Sequence, residues 1–176
     1  MSRWRHIRAI ALLPGTVAIV IPALLLATGD GPDPGWGLSA GIAALLVVAG
    51  AALAAAGVSL WAWTVRLFAT VGRGTLAPWD PTQRLVVVGP YRHVRNPMIS
   101  GVLAVLVGEA VALGSAVIAI LAGVFLVVNH LYFVLSEEPG LEHRFGKPYR
   151  EYRRHVPRWL PRRTPWSPDR PPGPGT

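Results

Sequence analysis

Residues 97–136 read PMISGVLAVLVGEAVALGSAVIAILAGVFLVVNHLYFVLS, and Glu109 is the one Asp, Glu, Lys or Arg among these 40 residues. A single helix of that length would run about 60 Å, which is twice the roughly 30 Å hydrocarbon thickness of a bilayer. Gly114 and Ser115 offer a tight turn near the middle. The stretch therefore predicts a helical hairpin of two membrane spans, at residues 97–113 and 115–135.

Two uncharged stretches precede this hairpin. Residues 9–28 are 20 residues long, the length that a helix needs to cross the hydrocarbon. In the second stretch, Trp36 and Trp61 are separated by about 37 Å of helix, which matches the two aromatic belts of a bilayer. We therefore predict further spans at residues 9–28 and 36–63. The second carries small residues that suit close contact with another helix, namely Gly50, Ala51, Ala54 and Ala55.

The charges are distributed unevenly along the chain. Its 176 residues are 52% hydrophobic, yet the formal net charge is +8. Basic residues precede the first span, separate the second from the third, and follow the fourth: Arg3, Arg5 and Arg8; Arg66, Arg73, Arg84, Arg92 and Arg95; and Arg144 through Arg163. The other two loops contain no Lys or Arg, so the positive-inside rule makes every basic segment cytoplasmic and the number of spans even. We predict an all-α, four-span protein of the inner cell membrane with both termini cytoplasmic.

This interpretation divides the chain into three segments. Residues 1–136 form the transmembrane domain, residues 137–163 a cytoplasmic C-terminal helical segment that completes a site, and residues 164–176 a Pro- and Gly-rich disordered tail. A cleaved signal peptide is the alternative for the first span, although the apolar run is longer than a signal needs. The lack of cysteine excludes disulfides and thiolate metal sites. We predict no metal site and no nucleic-acid partner, because the longest stretches carry no charge, and the oligomeric state stays open.

Polar residues gather in two clusters on the cytoplasmic side of the hairpin. The first contains the donors Tyr91, Arg92, His93, Arg95 and Asn96. The second contains Asn129, His130, Glu137, Glu138, Tyr149 and Tyr152. If the turn is centred between residues 114 and 115, residue i faces about residue 229 − i, so that Arg92 lies level with Glu137. Guanidinium groups facing a carboxylate pair would suit a zwitterionic ligand.

Each of these residues also has a simpler interpretation. Arginines beside a membrane helix often only fix its topology, and a Glu pair at the start of a cytoplasmic helix complements the helix dipole. Tyr149 and Tyr152 would then belong to an interfacial apolar face, and His130 would be a hydrogen-bonding residue between helices. Composition and spacing alone predict only a cytoplasm-facing polar site in a helical membrane protein.

The order of motifs across residues 84–161 resembles the isoprenylcysteine carboxyl methyltransferase family and its phospholipid methyltransferase relatives. The motifs are Gly89-Pro90-Tyr91, Arg95-Asn96-Pro97-Met98-Ile99-Ser100-Gly101, Glu137-Glu138, Phe145-Gly146-x-x-Tyr149-x-x-Tyr152 and Val156-Pro157-Arg158. The resemblance implies an S-adenosylmethionine-dependent membrane methyltransferase that acts on a lipidic acceptor by carboxylate O- or amine N-methylation. Asn96 stands where the family often has His, and Ile99 where it often has Tyr, which leaves the acceptor open.

The resemblance also implies roles for individual residues. The resemblance implies that the cofactor is bound by Tyr91, Arg95, Asn96, Gly101, Glu137, Glu138, Tyr149 and Tyr152. The two polar clusters add four further candidate cofactor-binding residues: His93, Pro97, Asn129 and His130. The implied catalytic residues are Arg92, Arg95 and Glu137. Glu137 or Glu138 would take a proton from an amine acceptor, whereas Arg92 or Arg95 would hold a carboxylate acceptor.

Two other functions remain as alternatives. A membrane reductase of the sterol-reductase type resembles this family in its C-terminal half and uses NADPH, but Met98-Ile99-Ser100 does not fit the residues that such reductases usually carry. A non-catalytic membrane protein could use its basic ends to bind anionic lipid headgroups. Such a protein would need neither a glutamate pair nor an ordered Tyr-x-x-Tyr element.

Overall fold

The fold is given by a computed structural model, which describes residues 11–29, 31–72 and 85–168. These residues form helices and loops, with no strand among them. The helices are α1 (Ala11–Val20 with π geometry, continued as Ile21–Thr28), α2 (Ala40–Leu67, extended by Phe68–Gly72), α3 (Pro97–Leu113), α4 (Ala116–Tyr132, extended by Phe133–Glu137), α5 (Glu138–Phe145) and α6 (Lys147–His155). A short 3-10 turn, Gly89–Arg92, precedes α3. The all-α prediction is thus confirmed for the described residues.

Two helices are long and apolar enough to cross a membrane. One is α2, with 28 residues, and the other is the continuous helix formed by α4 and α5, Ala116–Phe145, with 30 residues. Only 11% and 17% of their most apolar windows are buried within the chain. A core helix of a soluble protein is mostly buried, so this exposed apolar surface suits contact with lipid. Two shorter apolar helices, Gly15–Thr28 and Pro97–Leu113, accompany them.

The predicted hairpin between α3 and α4 is present. Gly114 ends α3 in the left-handed conformation, with φ 63° and ψ 39°, which glycine adopts without steric cost. The Ser115 hydroxyl then accepts a hydrogen bond from the Ile118 N–H at 3.4 Å and caps α4. Side chains from the two helices form a buried apolar cluster, namely Leu106, Ala110, Ile118 and Ala122. The turn is therefore where the sequence predicts it.

Glycines bring α2 and α3 into close contact. A Cβ atom at Gly57 would lie 2.6 Å from the Gly101 carbonyl oxygen, and one at Gly108 would lie 2.6 Å from the Gly50 carbonyl oxygen. The two pairs are related by the same seven-residue spacing on both helices, so they lie on one face of each. Of the small residues predicted to make such a contact, Gly50 is buried and Ala54 touches α3, whereas Ala51 and Ala55 are exposed.

Helix α1 completes the bundle by packing on the hairpin. Its Ala18 is buried together with Val102 and Val105 of α3. Val17 and Leu26 pack against the apolar cluster between α3 and α4. These contacts extend the core along most of the length of α1.

The C-terminal segment packs below the hairpin. Tyr149, Tyr152 and Val156 form a buried cluster, flanked by partly buried apolar residues: Leu85, Val87, Leu141, Phe145 and Trp166. Trp166 lies in the segment predicted to be a disordered tail, and its ring contacts the Tyr152 ring at a centroid distance of 5.8 Å. Trp166 is therefore part of the packed structure. Residues 169–176 of the predicted tail, the N-terminal arginines Arg3, Arg5 and Arg8, and the loop residues Arg73 and Arg84 lie outside the described residues.

Candidate active site

A buried carboxylate, Glu138, lies at the centre of the polar residues. Arg158 donates to both of its oxygens, from Nε to Oε1 at 2.7 Å and from Nη2 to Oε2 at 3.0 Å. Arg95 Nη1 lies 2.8 Å from Oε1, and the two side chains are only 11% and 8% exposed. Glu138 thus links Arg95, from the first polar cluster, to Arg158, which follows Val156-Pro157. The meeting of Arg95 with Glu138 that the hairpin predicts is present.

Two donors of this arrangement lack a hydrogen bond. Arg95 Nε and Nη1 are both buried and make none within the described part of the chain, and only Nη1 lies near an acidic oxygen, Glu138 Oε1. A buried guanidinium N–H without an acceptor is costly, because it has lost its hydration without replacement. The site therefore presents a charged donor that an external acceptor would satisfy.

Glu137 is the second polar group that remains available. It is half-buried, and no hydrogen bond or ion pair engages its carboxylate within residues 11–29, 31–72 and 85–168. Its charge is close enough to Tyr91 to contribute to the raised pKa of that phenol. The two adjacent glutamates thus differ. Arg95 and Arg158 hold Glu138, and Arg153 Nε lies 4.0 Å from its Oε2, whereas Glu137 has no such partner among the described residues.

Three tyrosines close the site on the side of α6. The Tyr152 hydroxyl donates to the Tyr91 carbonyl oxygen at 2.7 Å. Burial raises the pKa of Tyr149 to about 12, with Glu138 adding to the increase and Arg95 opposing it. Burial also raises the pKa of Tyr91 and of Tyr152 well above the usual value for a phenol. All three are therefore neutral hydroxyl donors at physiological pH and cannot serve as phenolate bases.

Residues 156–166, which we call the C-terminal strap, run beside residues 92–95 and hold them in place. Arg95 N–H donates to the Pro157 carbonyl at 2.9 Å, and Arg162 N–H donates to the His93 carbonyl at 3.0 Å. His93 Nδ1 is 2.8 Å from the Arg162 carbonyl oxygen. Since a carbonyl only accepts, His93 carries its proton on Nδ1 in this contact. His93 is therefore used to hold the strap.

Arg92 also contacts the strap. Its Nε donates to the Trp166 carbonyl at 2.7 Å, and its own carbonyl accepts from the Trp166 N–H at 2.9 Å. The contacts of Arg92 are thus with the strap, and its position level with Glu137 stays a prediction. The 3-10 turn Gly89–Arg92 interrupts the helical rise on which that prediction depends.

Asn129 and His130, the polar residues of α4, make hydrogen bonds within the protein. Asn129 Nδ2 donates to the Phe125 carbonyl one turn earlier, at 2.8 Å. Trp159 Nε1 donates to His130 Nδ1 at 3.1 Å, and the two rings stack with centroids 6.4 Å apart. Because Nδ1 accepts this bond, neutral His130 has its proton on Nε2.

The remaining predicted residues, Asn96, Pro97 and Gly101, lie at the start of α3. Asn96 is the N-cap residue, with φ −120° and ψ 53°, and its side chain makes no capping hydrogen bond. Pro97 follows at the first helical position, where its missing N–H has no consequence for the helix. Gly101 faces α2, where an added Cβ would lie 2.9 Å from the Gly57 carbonyl oxygen. Helix packing therefore accounts for glycine at position 101.

Three residues of the site were not among those predicted from sequence. Arg158 belongs to the quoted Val-Pro-Arg motif, and the motif was the available signal for it. Trp159 follows directly, and aromatic enrichment near a membrane surface would have pointed to it. Trp166 lies among prolines in a segment whose composition indicates disorder, so no local signal could have identified it.

Largely exposed apolar helices, with a polar site at one end of a helical hairpin, define a helical integral membrane protein. The particular family follows from comparison with known proteins. The chain belongs to the phospholipid methyltransferase family, whose model matches residues 45–148, more than half of the 176 residues. The resemblance predicted from the motifs is thereby confirmed, and the chain is a membrane methyltransferase by family. Neither the search of curated proteins nor that of solved structures gave a match.

Proposed function

We propose that this protein is an S-adenosylmethionine-dependent methyltransferase whose acceptor is a lipidic or membrane-partitioned molecule. The observation that carries the proposal is the pair of available polar groups beside Glu138, namely the partnerless Arg95 Nε and the free Glu137 carboxylate. Both lie within the residues that match the phospholipid methyltransferase family.

The chemistry of these two groups fits S-adenosylmethionine. Its amino-acid end carries a carboxylate and an ammonium group, and its ribose carries two hydroxyls. Arg95 can donate to the carboxylate, because a guanidinium N–H pairs well with a carboxylate oxygen. Glu137 can accept from the ammonium or from a ribose hydroxyl. S-adenosylmethionine, when bound, supplies a methyl group on a positively charged sulfur and therefore needs little acid catalysis.

The residues of the chain would then align the acceptor and exclude water. Tyr91, Tyr149 and Tyr152 are buried, so they shield the site from the aqueous side, where water would compete with the acceptor. An amine acceptor must lose a proton to expose its lone pair, and Glu137 is the unpaired carboxylate that can take it. A carboxylate acceptor needs no base and would instead require a guanidinium such as that of Arg92 or Arg95.

We also propose that all four apolar helices span the membrane. The lengths of α2 and of the α4–α5 helix support two spans directly. The antiparallel hairpin and the packing of α1 on it support two more, because α1 and α3 share their core with the longer helices. With four spans and the basic segments inside, both termini lie in the cytoplasm.

A topology reporter checks this arrangement. A fluorescent protein that matures only in the cytoplasm, fused after Thr176, is expected to fluoresce, whereas alkaline phosphatase at the same position is expected to be inactive. Fusions in the loop between α1 and α2 should give the opposite pattern. Alkaline phosphatase activity at the C-terminus would contradict the even number of spans.

Binding of S-adenosylhomocysteine tests the function. We expect it to raise the apparent thermal stability of the purified protein in detergent, whereas NADPH leaves it unchanged. A ligand that binds only the folded state stabilises it by about 2.7 kcal/mol at a concentration of about 100 Kd. No shift with S-adenosylhomocysteine in folded protein would contradict the methyltransferase proposal, and a shift with NADPH would support the reductase.

The variant Glu137→Gln separates the site from the fold. Glu137 has no partner within the described residues, so we expect its replacement to leave the unliganded protein folded and similarly stable. The same variant is expected to lose most of the stabilisation by S-adenosylhomocysteine. Undiminished stabilisation of Glu137→Gln would remove Glu137 from the site.

A further inference from the structure

The strap reaches the depth of the apolar part of α4. The indole of Trp159 is hydrogen-bonded to His130 at 3.1 Å, and its ring lies 5.7 Å from that of Phe133. His130 lies about 7.5 Å along the helix before residue 135, where the predicted fourth span ends. The α4 side chains around it are apolar and exposed: Val127 57%, Val128 57% and Leu131 51%. Trp159 is thus level with exposed apolar side chains of α4, which would face lipid in the four-span arrangement proposed above.

Leu160 follows Trp159 and is the most exposed large apolar side chain of the described residues, at 81%. An exposed leucine at the surface of a soluble protein needs no explanation. For a leucine at the membrane depth of α4 the situation is different, because burial of its side chain in the acyl region of the bilayer is favourable. Prolines and arginines surround the dipeptide, in the order Pro157-Arg158-Trp159-Leu160-Pro161-Arg162-Arg163.

We propose that Trp159 and Leu160 form a membrane anchor, which inserts into the cytoplasmic leaflet beside α4 while Arg163 contacts anionic phospholipid headgroups. Tryptophan is favoured at the headgroup level and leucine below it, and exposed arginines near the surface attract anionic lipids. Arg158 does not take part, because Glu138 holds it. Arg163 is exposed, and no ion pair engages it within residues 11–29, 31–72 and 85–168.

The anchor would be linked to the site through the strap. Other residues of the strap bind residues 92–95 directly. The Pro157 carbonyl accepts from Arg95 N–H and the Arg162 N–H donates to the His93 carbonyl. Trp166 and Arg92 exchange two further hydrogen bonds. Insertion of Leu160 into lipid would therefore hold the strap against residues 92–95. Lipid composition would then act on the site from outside it.

The absence of cysteine in the native chain allows a direct test. The variant Leu160→Cys is spin-labelled and reconstituted into nanodiscs of phosphatidylcholine mixed with phosphatidylglycerol. We expect the label to collide more often with oxygen, which concentrates in lipid, than with a water-soluble nickel complex. The matched control is Glu151→Cys, on the exposed face of α6, whose label should show the opposite preference.

The result at Leu160 decides the proposal. A label as accessible to nickel as the one at Glu151 would overturn the anchor, and protection from both reagents would show that a protein partner or a second copy covers the segment. To test the headgroup contact, Arg163→Glu is added to Leu160→Cys. We expect Arg163→Glu to reduce the population with an inserted label roughly fivefold in the mixed nanodiscs. We expect a similar reduction for Leu160→Cys with Arg163 intact when the nanodiscs contain phosphatidylcholine alone. No change in either case would refute the role of Arg163. These measurements need no cofactor, so their failure is distinct from failure of the methyltransferase proposal.

Discussion

Replacing Glu138 by glutamine is expected to cause the largest loss of stability of any single side chain in the site. The Glu138 carboxylate accepts two hydrogen bonds from Arg158 and lies 2.8 Å from Arg95 Nη1. A neutral amide cannot balance the charges of two guanidinium groups. The Arg95 side chain is only 11% exposed, so water cannot compensate for the lost carboxylate. Removing one partner of a buried ion pair typically costs about 3–5 kcal/mol, because the other charge is left uncompensated. Unfolding in mixed micelles at increasing denaturant concentration measures the loss.

Glu142 provides the matched control. It pairs with Arg153 at 3.2 Å and with Arg150 at 3.7 Å, but its side chain is 34% exposed and those of the arginines about half exposed. Solvent screens such pairs, so Glu142→Gln should cost no more than about 1 kcal/mol. The double variant Glu138→Gln with Arg95→Met should recover part of the loss, because it removes one of the two stranded charges and leaves only that of Arg158. Equal losses for Glu138→Gln and Glu142→Gln would mean that Glu138 is not the centre of a buried network.

The hairpin could be predicted from sequence because its signals are local. A stretch of 40 residues with one charge is too long for one span, and Gly114 with Ser115 supplies the turn. Once the turn is fixed, the equal rise of two helices brings the start of α3 beside the end of α4. That register places Arg95 about level with residue 134, one helical turn before Glu138. It therefore brings Arg95 near Glu138 but does not specify the contact that the structure has.

The same register fails before Pro97. A residue that precedes proline is excluded from the helical conformation, and Asn96 accordingly has ψ 53°. The backbone from Gly89 to Asn96 therefore does not continue the rise of α3, and a helical register cannot place Arg92. Instead Arg92 meets Trp166, which is 74 residues away in the chain.

The strap could not be predicted at all from local patterns. Its contacts join loop residues that have no helical or strand periodicity, so neither spacing nor hydropathy indicates which residues face each other. The proline content of residues 164–176 even favours disorder. Contacts between residues distant in the chain, of Trp166 with Arg92, Tyr152 and His155, show that Trp166 packs on the site.

The two glutamates illustrate how the fold divides similar side chains between different tasks. In the sequence, Glu137 and Glu138 are adjacent and chemically equivalent hydrogen-bond acceptors. In the structure, Glu138 is held by Arg95 and Arg158, whereas the adjacent Glu137 has no partner among the described residues. Because a carboxylate that is fully engaged by arginines has little capacity left for a ligand, we propose Glu137, and not Glu138, for ligand binding and proton transfer.

Replacing Gly108 by alanine is expected to push α2 and α3 apart. An added Cβ would lie 2.6 Å from the Ala54 backbone nitrogen and 2.6 Å from the Gly50 carbonyl oxygen. Both atoms belong to the backbone of α2, so no side-chain rotation can relieve the overlap. Overpacking of this kind typically costs about 1–3 kcal/mol. The site should also weaken, because the same helix contact positions Gly101, one turn after Pro97, against Trp61.

Gly123→Ala, on α4, is the matched substitution. Nothing lies within 4 Å of a Cβ at Gly123, and alanine is favoured over glycine in a helix by roughly 0.5–1 kcal/mol. Gly108→Ala should therefore lower the midpoint of unfolding while Gly123→Ala leaves it unchanged or raises it. The loss at Gly108 should be accompanied by weaker binding of S-adenosylhomocysteine even at temperatures where the protein is fully folded. If both alanine variants unfold at the same denaturant concentration, then the glycines do not form the contact between α2 and α3, and the position of the hairpin relative to α2 must be determined by other side chains.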